Sequence, residues 1–134
     1  MGMLAEKCWS DLEMRFNIKL DEYVIMPDHI HGILRINRAT TRVARTLNSN
    51  VGAGFMPARN NLGNIIGVFK SIFVWEYIQN VKNQNWPRFF KRLWQRNYYE
   101  RIIRDKVEYL RVKRYIEKNP MKYLFKRRQK LSLL

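Results

Sequence analysis

With 134 residues the chain has room for one hydrophobic core, and 46% apolar with 13% aromatic residues is too much for wholesale disorder. No apolar run approaches the roughly 18 residues of a membrane span, and the start, MGMLAEKCWSDLEMRF, carries acids among its apolar residues and does not read as a signal peptide, which predicts a soluble cytoplasmic protein with no membrane partner. The 26 Lys and Arg against 11 Asp and Glu give a net charge of +15, a field that attracts polyanions and, for an intracellular domain, most often nucleic acid.

That charge is unevenly placed: residues 1–33 hold three basic and six acidic side chains, a balance of −3, and the remainder holds 23 and five, or +18. Leu4, Cys8, Leu12 and Phe16 recur every four residues and predict an amphipathic helix ending near Asn17. The lone Cys8 excludes an internal disulfide and any cysteine-based zinc cage, so a bound metal would rest on nitrogen and oxygen. KLDEYVIM, then Pro27-Asp28, then HIHGILRI predict a hairpin over residues 19–36. Residues 37–61 are polar without a steady period and predict a long functional or mobile loop. Leu62, Ile65, Ile66, Phe69 and Phe73 restore helical spacing, with Asn60 or Asn61 as cap and the Asn-, Lys- and Gln-rich residues 79–85 as the end. The aromatics of FFKRLWQRNYYERII predict a strand near Leu93–Ile103. Asp105 can cap a last helix that Pro120 closes. The expected organisation is one domain over residues 1–120 and a basic tail over 121–134, marked by Lys126, Arg127, Arg128 and Lys130.

Two patterns carry chemistry. His29-Ile30-His31 holds both histidines of the chain, and on a strand they share one face while Ile30, Leu34 and Ile36 share the other, free to pack on helices. Two neutral imidazoles side by side suit a divalent metal, and an ordinary surface or half-buried pair is the plainer reading. In RVKRYIEKNP, Tyr115 and Asn119 stand four residues apart and so project from one helix face, flanked by Arg111 and Lys118. A phenol needs cations or a metal nearby to act as a nucleophile, which this helix can supply; the alternative is a core aromatic beside Val112 and Ile116.

MPDHIHGIL, followed far downstream by WQRNYYERIIRD and then RYIEKNP, resembles the REP-associated tyrosine transposases, bacterial single-tyrosine members of the HUH endonuclease class. The likeness runs from about Cys8 to Lys122, and the order of three separated motifs makes it more specific than any one alone. It implies an α+β fold, a ferredoxin-like antiparallel sheet with helices on one face and a tyrosine-bearing helix after it. It implies Tyr115 as nucleophile and His29, His31 and Asn119 as ligands of Mg²⁺ or Mn²⁺. The activity implied is cleavage and rejoining of single-stranded or hairpin DNA through a 5′-phosphotyrosine, in the cytoplasm at the nucleoid. Lys70, Arg96, Arg101, Arg104, Arg111 and Lys118 are the expected DNA contacts, with Trp94, Tyr98 and Tyr99 interleaved among Arg92 and its neighbours for stacking. The family's first strand has no counterpart before residues 3–16, so a truncated chain is expected, with an open edge on the histidine strand that the segment 93–103 or a second copy in a homodimer would cover. The alternative function is a non-catalytic basic protein that binds hairpin DNA or RNA.

Overall fold

The computed structural model describes residues 1–37 and 61–132. The expected long loop lies almost wholly outside these, as do the last two residues of the tail. Six elements follow in order: α1 (Gly2–Ser10), α2 (Leu12–Arg15), β1 (Ile18–Ile25), β2 (Ile30–Ile36), α3 (Leu62–Gln84) and α4 (Lys106–Ser132). The fold class is α+β, with a two-stranded antiparallel sheet of order β1-β2 among the described residues. Among these residues no helix is long and apolar enough to cross a membrane.

The opening helix has the expected spacing but breaks once. Asp11 stays in the right-handed helical region between α1 and α2, and Phe16 turns extended and ends the run. Leu4, Cys8, Leu12 and Phe16 are all buried, as their four-residue period requires. Burial, reinforced by Glu76, pushes the Cys8 thiol above its ordinary value and keeps it in the unreactive thiol form.

The hairpin turns at Pro27-Asp28, closed by the Met26 amide donating to the His29 carbonyl at 2.8 Å. Neither turn residue has a positive φ, so this is not the mirror-image turn usual in tight hairpins. At the open end the Asn37 amide donates to the Asn17 carbonyl at 3.1 Å. The faces of β2 differ from expectation: Ile33 is its buried residue, whereas Ile30, Leu34 and Ile36 are half-buried. Ile33 has the parity of His29 and His31, so the imidazole face is the packed face. Hydrophobic residues occupy both parities of β2, which is why alternation alone picked the wrong side.

The chain packs as two compact units. The first comprises residues 3–19 with 35–37 and 61–94, built around α3. The Asn61 side chain caps α3 by accepting from the Asn64 amide at 2.8 Å, and Asn85, in the left-handed region at φ 54°, ends it. Ile65, Phe69, Phe73 and Tyr77 form its buried stripe. Trp9 meets Phe69 edge-on at 5.3 Å, Trp94 contacts Phe69 and Phe73 at 5.3 and 5.1 Å, and Trp86 and Phe89 flank Tyr77 at 5.2 and 5.6 Å. Each such pair adds about 0.5–1.5 kcal/mol beyond its area. The buried Tyr77 hydroxyl is satisfied by donating to the Pro87 carbonyl at 2.9 Å.

The second unit comprises residues 20–34 and 95–132, built from the hairpin and α4. The strand expected near Leu93–Ile103 is not formed: these residues are irregular and pair with no strand among the described residues. Without ladder bonds an aromatic-rich segment gains nothing from extended geometry. Asp105 caps α4 as expected, accepting from the Glu108 amide at 2.8 Å. Pro120 does not close α4, which continues to Ser132 with the proline inside it. A proline removes one intrahelical bond and costs about 3 kcal/mol, but the run after it is rich in Lys, Arg, Leu, Met and Gln, which propagate a nucleated helix at little cost. The basic tail is therefore helical over its described residues.

Leu12 is fully buried and Met14 is 89% exposed on the same turn. Leu12→Ala is expected to destabilise the protein by about 2–5 kcal/mol in urea unfolding, and Met14→Ala to change it by less than about 0.5 kcal/mol. Equal effects would remove the opening helix from the core.

Candidate active site

The second unit brings three of the four principal sequence candidates into one chain of contacts. The rings of His29 and His31 are 4.7 Å apart between centroids at 78°, and His31 meets Tyr115 at 5.2 Å and 79°. His29 immediately precedes β2 and His31 lies within it, and α4 carries Tyr115 against His31. Asn119, one turn beyond Tyr115, is the one polar residue buried among the described residues.

Two contacts hold α4 against the hairpin. The Tyr109 hydroxyl donates to Asp21 Oδ1 at 3.0 Å, and Lys113 Nζ pairs with Glu22 at 3.1 Å, which raises the lysine's pKa. Ile116, 2% exposed, supplies the apolar seat beside them. The stripe 109, 113, 116 faces the hairpin, and Tyr115 lies at its margin, 48% exposed. Tyr115 is thus neither a core aromatic nor a free surface one: it touches an imidazole and remains open to solvent.

Two further residues belong to this site. Asp28 Oδ1 lies 2.5 Å from His29 Nδ1. With that nitrogen carrying the proton toward the carboxylate, the lone pair sits on Nε2, the arrangement usual for a metal-binding histidine and its carboxylate partner. Lys122 Nζ stands 5.4 Å from the centre of the Tyr115 ring. Asp28 was legible as the neighbour of His29 in a turn, and Lys122 as the position seven after Tyr115 on the same helix face.

Two imidazoles and an amide oxygen are a sparse, neutral donor set, of the kind a divalent ion completes with water or phosphate. Among the described residues no cluster of three or more His, Cys, Asp or Glu is arranged to hold a metal. An ion here would use His29, His31 and the Asn119 oxygen, leaving positions for water or phosphate.

The expected DNA contacts divide. Arg101 is engaged by Glu108 at 2.5 Å, whose other oxygen accepts from the Arg104 amide at 3.1 Å. Arg96, Arg104, Arg111 and Lys118 are exposed, as are Tyr98 and Tyr99. Lys70 and Trp94 lie in the first unit.

Burial and, after it, the nearby His29 lower the pKa of His31 below its ordinary 6.5. The unfolded chain therefore takes up this proton before the folded one does. Its contribution to stability is complete above about pH 6.5 and falls as the pH drops below that value toward the folded pKa. In metal-free protein, NMR titration should show the resonance lost in His31→Ala with a midpoint below 6.5. A midpoint above 6.5 would contradict the burial.

No family model matches the chain, and no solved structure matches it. The chain is 33% identical over 128 residues to an uncharacterized protein of Haemophilus influenzae, an alignment that covers 90% of this chain and 65% of the length of that relative.

Proposed function

We propose that this chain is a metal-dependent tyrosine transposase or endonuclease of the HUH type, which cleaves and rejoins single-stranded DNA at hairpin-associated sites. The supporting observation is the unbroken run of ring contacts from His29 through His31 to Tyr115, with buried Asn119 one turn on. The ferredoxin-like core, the nucleoid location and pairing of copies in a homodimer belong to the same reading, through the resemblance of MPDHIHGIL and RYIEKNP to the REP-associated tyrosine transposases.

Mg²⁺ or Mn²⁺ on His29, His31 and Asn119 would polarise the scissile phosphate, its charge undiminished by three neutral ligands. Tyr115 attacks phosphorus through its phenol oxygen. The new bond is tyrosine O–P, the broken bond is P–O3′, and the phenolic proton ends on the departing 3′-oxygen. The products are a 5′-phosphotyrosine and a free 3′-hydroxyl, and reversal of the step rejoins a strand. The solvent-open edge of Tyr115 admits the phosphodiester, Asp28 orients His29, and Lys122 with Arg111 and Lys118 provides positive charge along the tyrosine helix.

The test is a labelled hairpin oligonucleotide with Mn²⁺, resolved on a denaturing gel. A covalent protein–DNA band lost in Tyr115→Phe, and cleavage lost in His29→Ala and His31→Ala with binding retained, is the expected result. Asp28→Asn should lower activity or metal affinity roughly 10–100-fold. Binding by the natural chain without any covalent band would support the non-catalytic hairpin-binding protein instead. Loss of binding together with cleavage in the histidine variants would assign that pair to the fold.

A further inference from the structure

The outer face of α3 is as apolar as its buried stripe. Val74, Trp75, Ile78 and Val81 lie opposite Phe69 and Phe73, and a helix apolar all round is ordinarily buried all round. Here Val74, Ile78 and Val81 are half-buried and Trp75 is 61% exposed. The segment after the helix wraps back along it and makes two adjoining grooves, of about 550 and 250 Å³, that share Ile78 and Phe89.

The lining of these grooves is selective. Lys70, Lys91 and Arg92 border the first, Lys82 and Arg88 the second, and among the described residues no carboxylate lines either. Lys91 holds a left-handed backbone at φ 68°, uncommon without glycine. Phe90 beside it is 88% exposed, with the Lys91 ammonium 5.9 Å from its ring centre. From Lys70 to Lys82 the helix runs about 18 Å, so indole, apolar floor and cations follow one another along a track.

We infer that this groove on the first unit binds single-stranded nucleic acid, with a base stacked on Trp75 and phosphates held by Lys91, Arg92 and their basic neighbours. An indole face flanked by cations accepts any base, and the absence of carboxylates suits a polyanion that also has flat apolar faces. A paired helix cannot offer those faces, because its bases are stacked on one another. An acidic peptide would match the charge and leave the indole without a partner, and a lipid surface cannot follow a concave track. The inference shares a ligand class with the proposed function; Lys70, Arg92 and Trp94 are also among the DNA-contact candidates of the sequence, and no groove residue belongs to the histidine–tyrosine site.

Fluorescence anisotropy of the full chain with labelled 20-residue oligo-dT and oligo-rU, over a series of salt concentrations, tests it. Trp75→Ala should weaken binding roughly five- to 150-fold with an unchanged salt slope, and Trp75→Phe should recover most of the loss. Lys91→Gln with Arg92→Gln should lower the log–log slope by about 1.4, at roughly 0.7 per phosphate contact. Similar affinity for both strands supports recognition by stacking and phosphate alone, and a preference for either names the natural source. An absent covalent band in the natural chain, with binding still dependent on Trp75, overturns the transposase reading and keeps this one. Affinity unchanged in Trp75→Ala, no saturable binding at 50 mM salt, or displacement by polyglutamate or anionic vesicles with the same Trp75 dependence overturns the groove.

Discussion

The seating of α4 on the hairpin is the constraint from which the candidate site follows. Tyr109 on Asp21, Lys113 on Glu22 and the buried Ile116 fix both the rotation and the axial position of the helix. A helix advances 1.5 Å and turns about 100° per residue, so a slip of one position would swing Tyr115 about 100° away from His31. The polar pair contributes little energy individually, being partly exposed, and the apolar seat supplies most of the binding. What the pair supplies is register: each donor meets its acceptor in one alignment only.

The charge distribution gains a structural meaning from these contacts. The acid-rich opening third provides Asp21, Glu22 and Asp28, and each has a cationic or donor partner within the second unit. In the first unit Lys7 pairs with Glu76 at 3.3 Å. Acids are consumed where chain segments must be aligned, and the grooves along α3 and much of the surface of α4 are left basic. The net charge of +15 is thus unevenly exposed, because several acids are paired within the units while the grooves along α3 keep their cations.

Local signals were legible where one physical cause acted alone. The four-residue period from Leu4 to Phe16, the caps at Asn61 and Asp105, and the turn at Pro27-Asp28 were all readable because each depends on residues within a turn of one another. The contact of His31 with Tyr115 was anticipated only through the resemblance to a known family, since 83 intervening positions offer no spacing rule. The strand over 93–103 failed because aromatic residues serve β-pairing and coil-on-helix packing equally, and Trp94 took the second use against Phe69 and Phe73. The packed face of β2 was misread because both faces carry isoleucine. Trp75 carried no sequence signal of its own: within FKSIFVWEYI it is one apolar residue among many, and only its exposure sets it apart.

The proline inside α4 divides that helix thermodynamically as well as in sequence. Pro120 has no amide hydrogen, so the rung of the hydrogen-bond ladder that would reach back to the Ile116 carbonyl is missing. Cooperativity in a helix depends on each rung supporting the next, and a missing rung lowers the coupling between the parts on either side. The exposed basic turns beyond Pro120 can therefore fray and reform, or bend toward a ligand, without drawing the tyrosine turn into the same opening. Tyr115 and Asn119 precede that boundary and Lys122 follows it, so fraying there shifts the cation beside the tyrosine ring while the phenol keeps its place against His31.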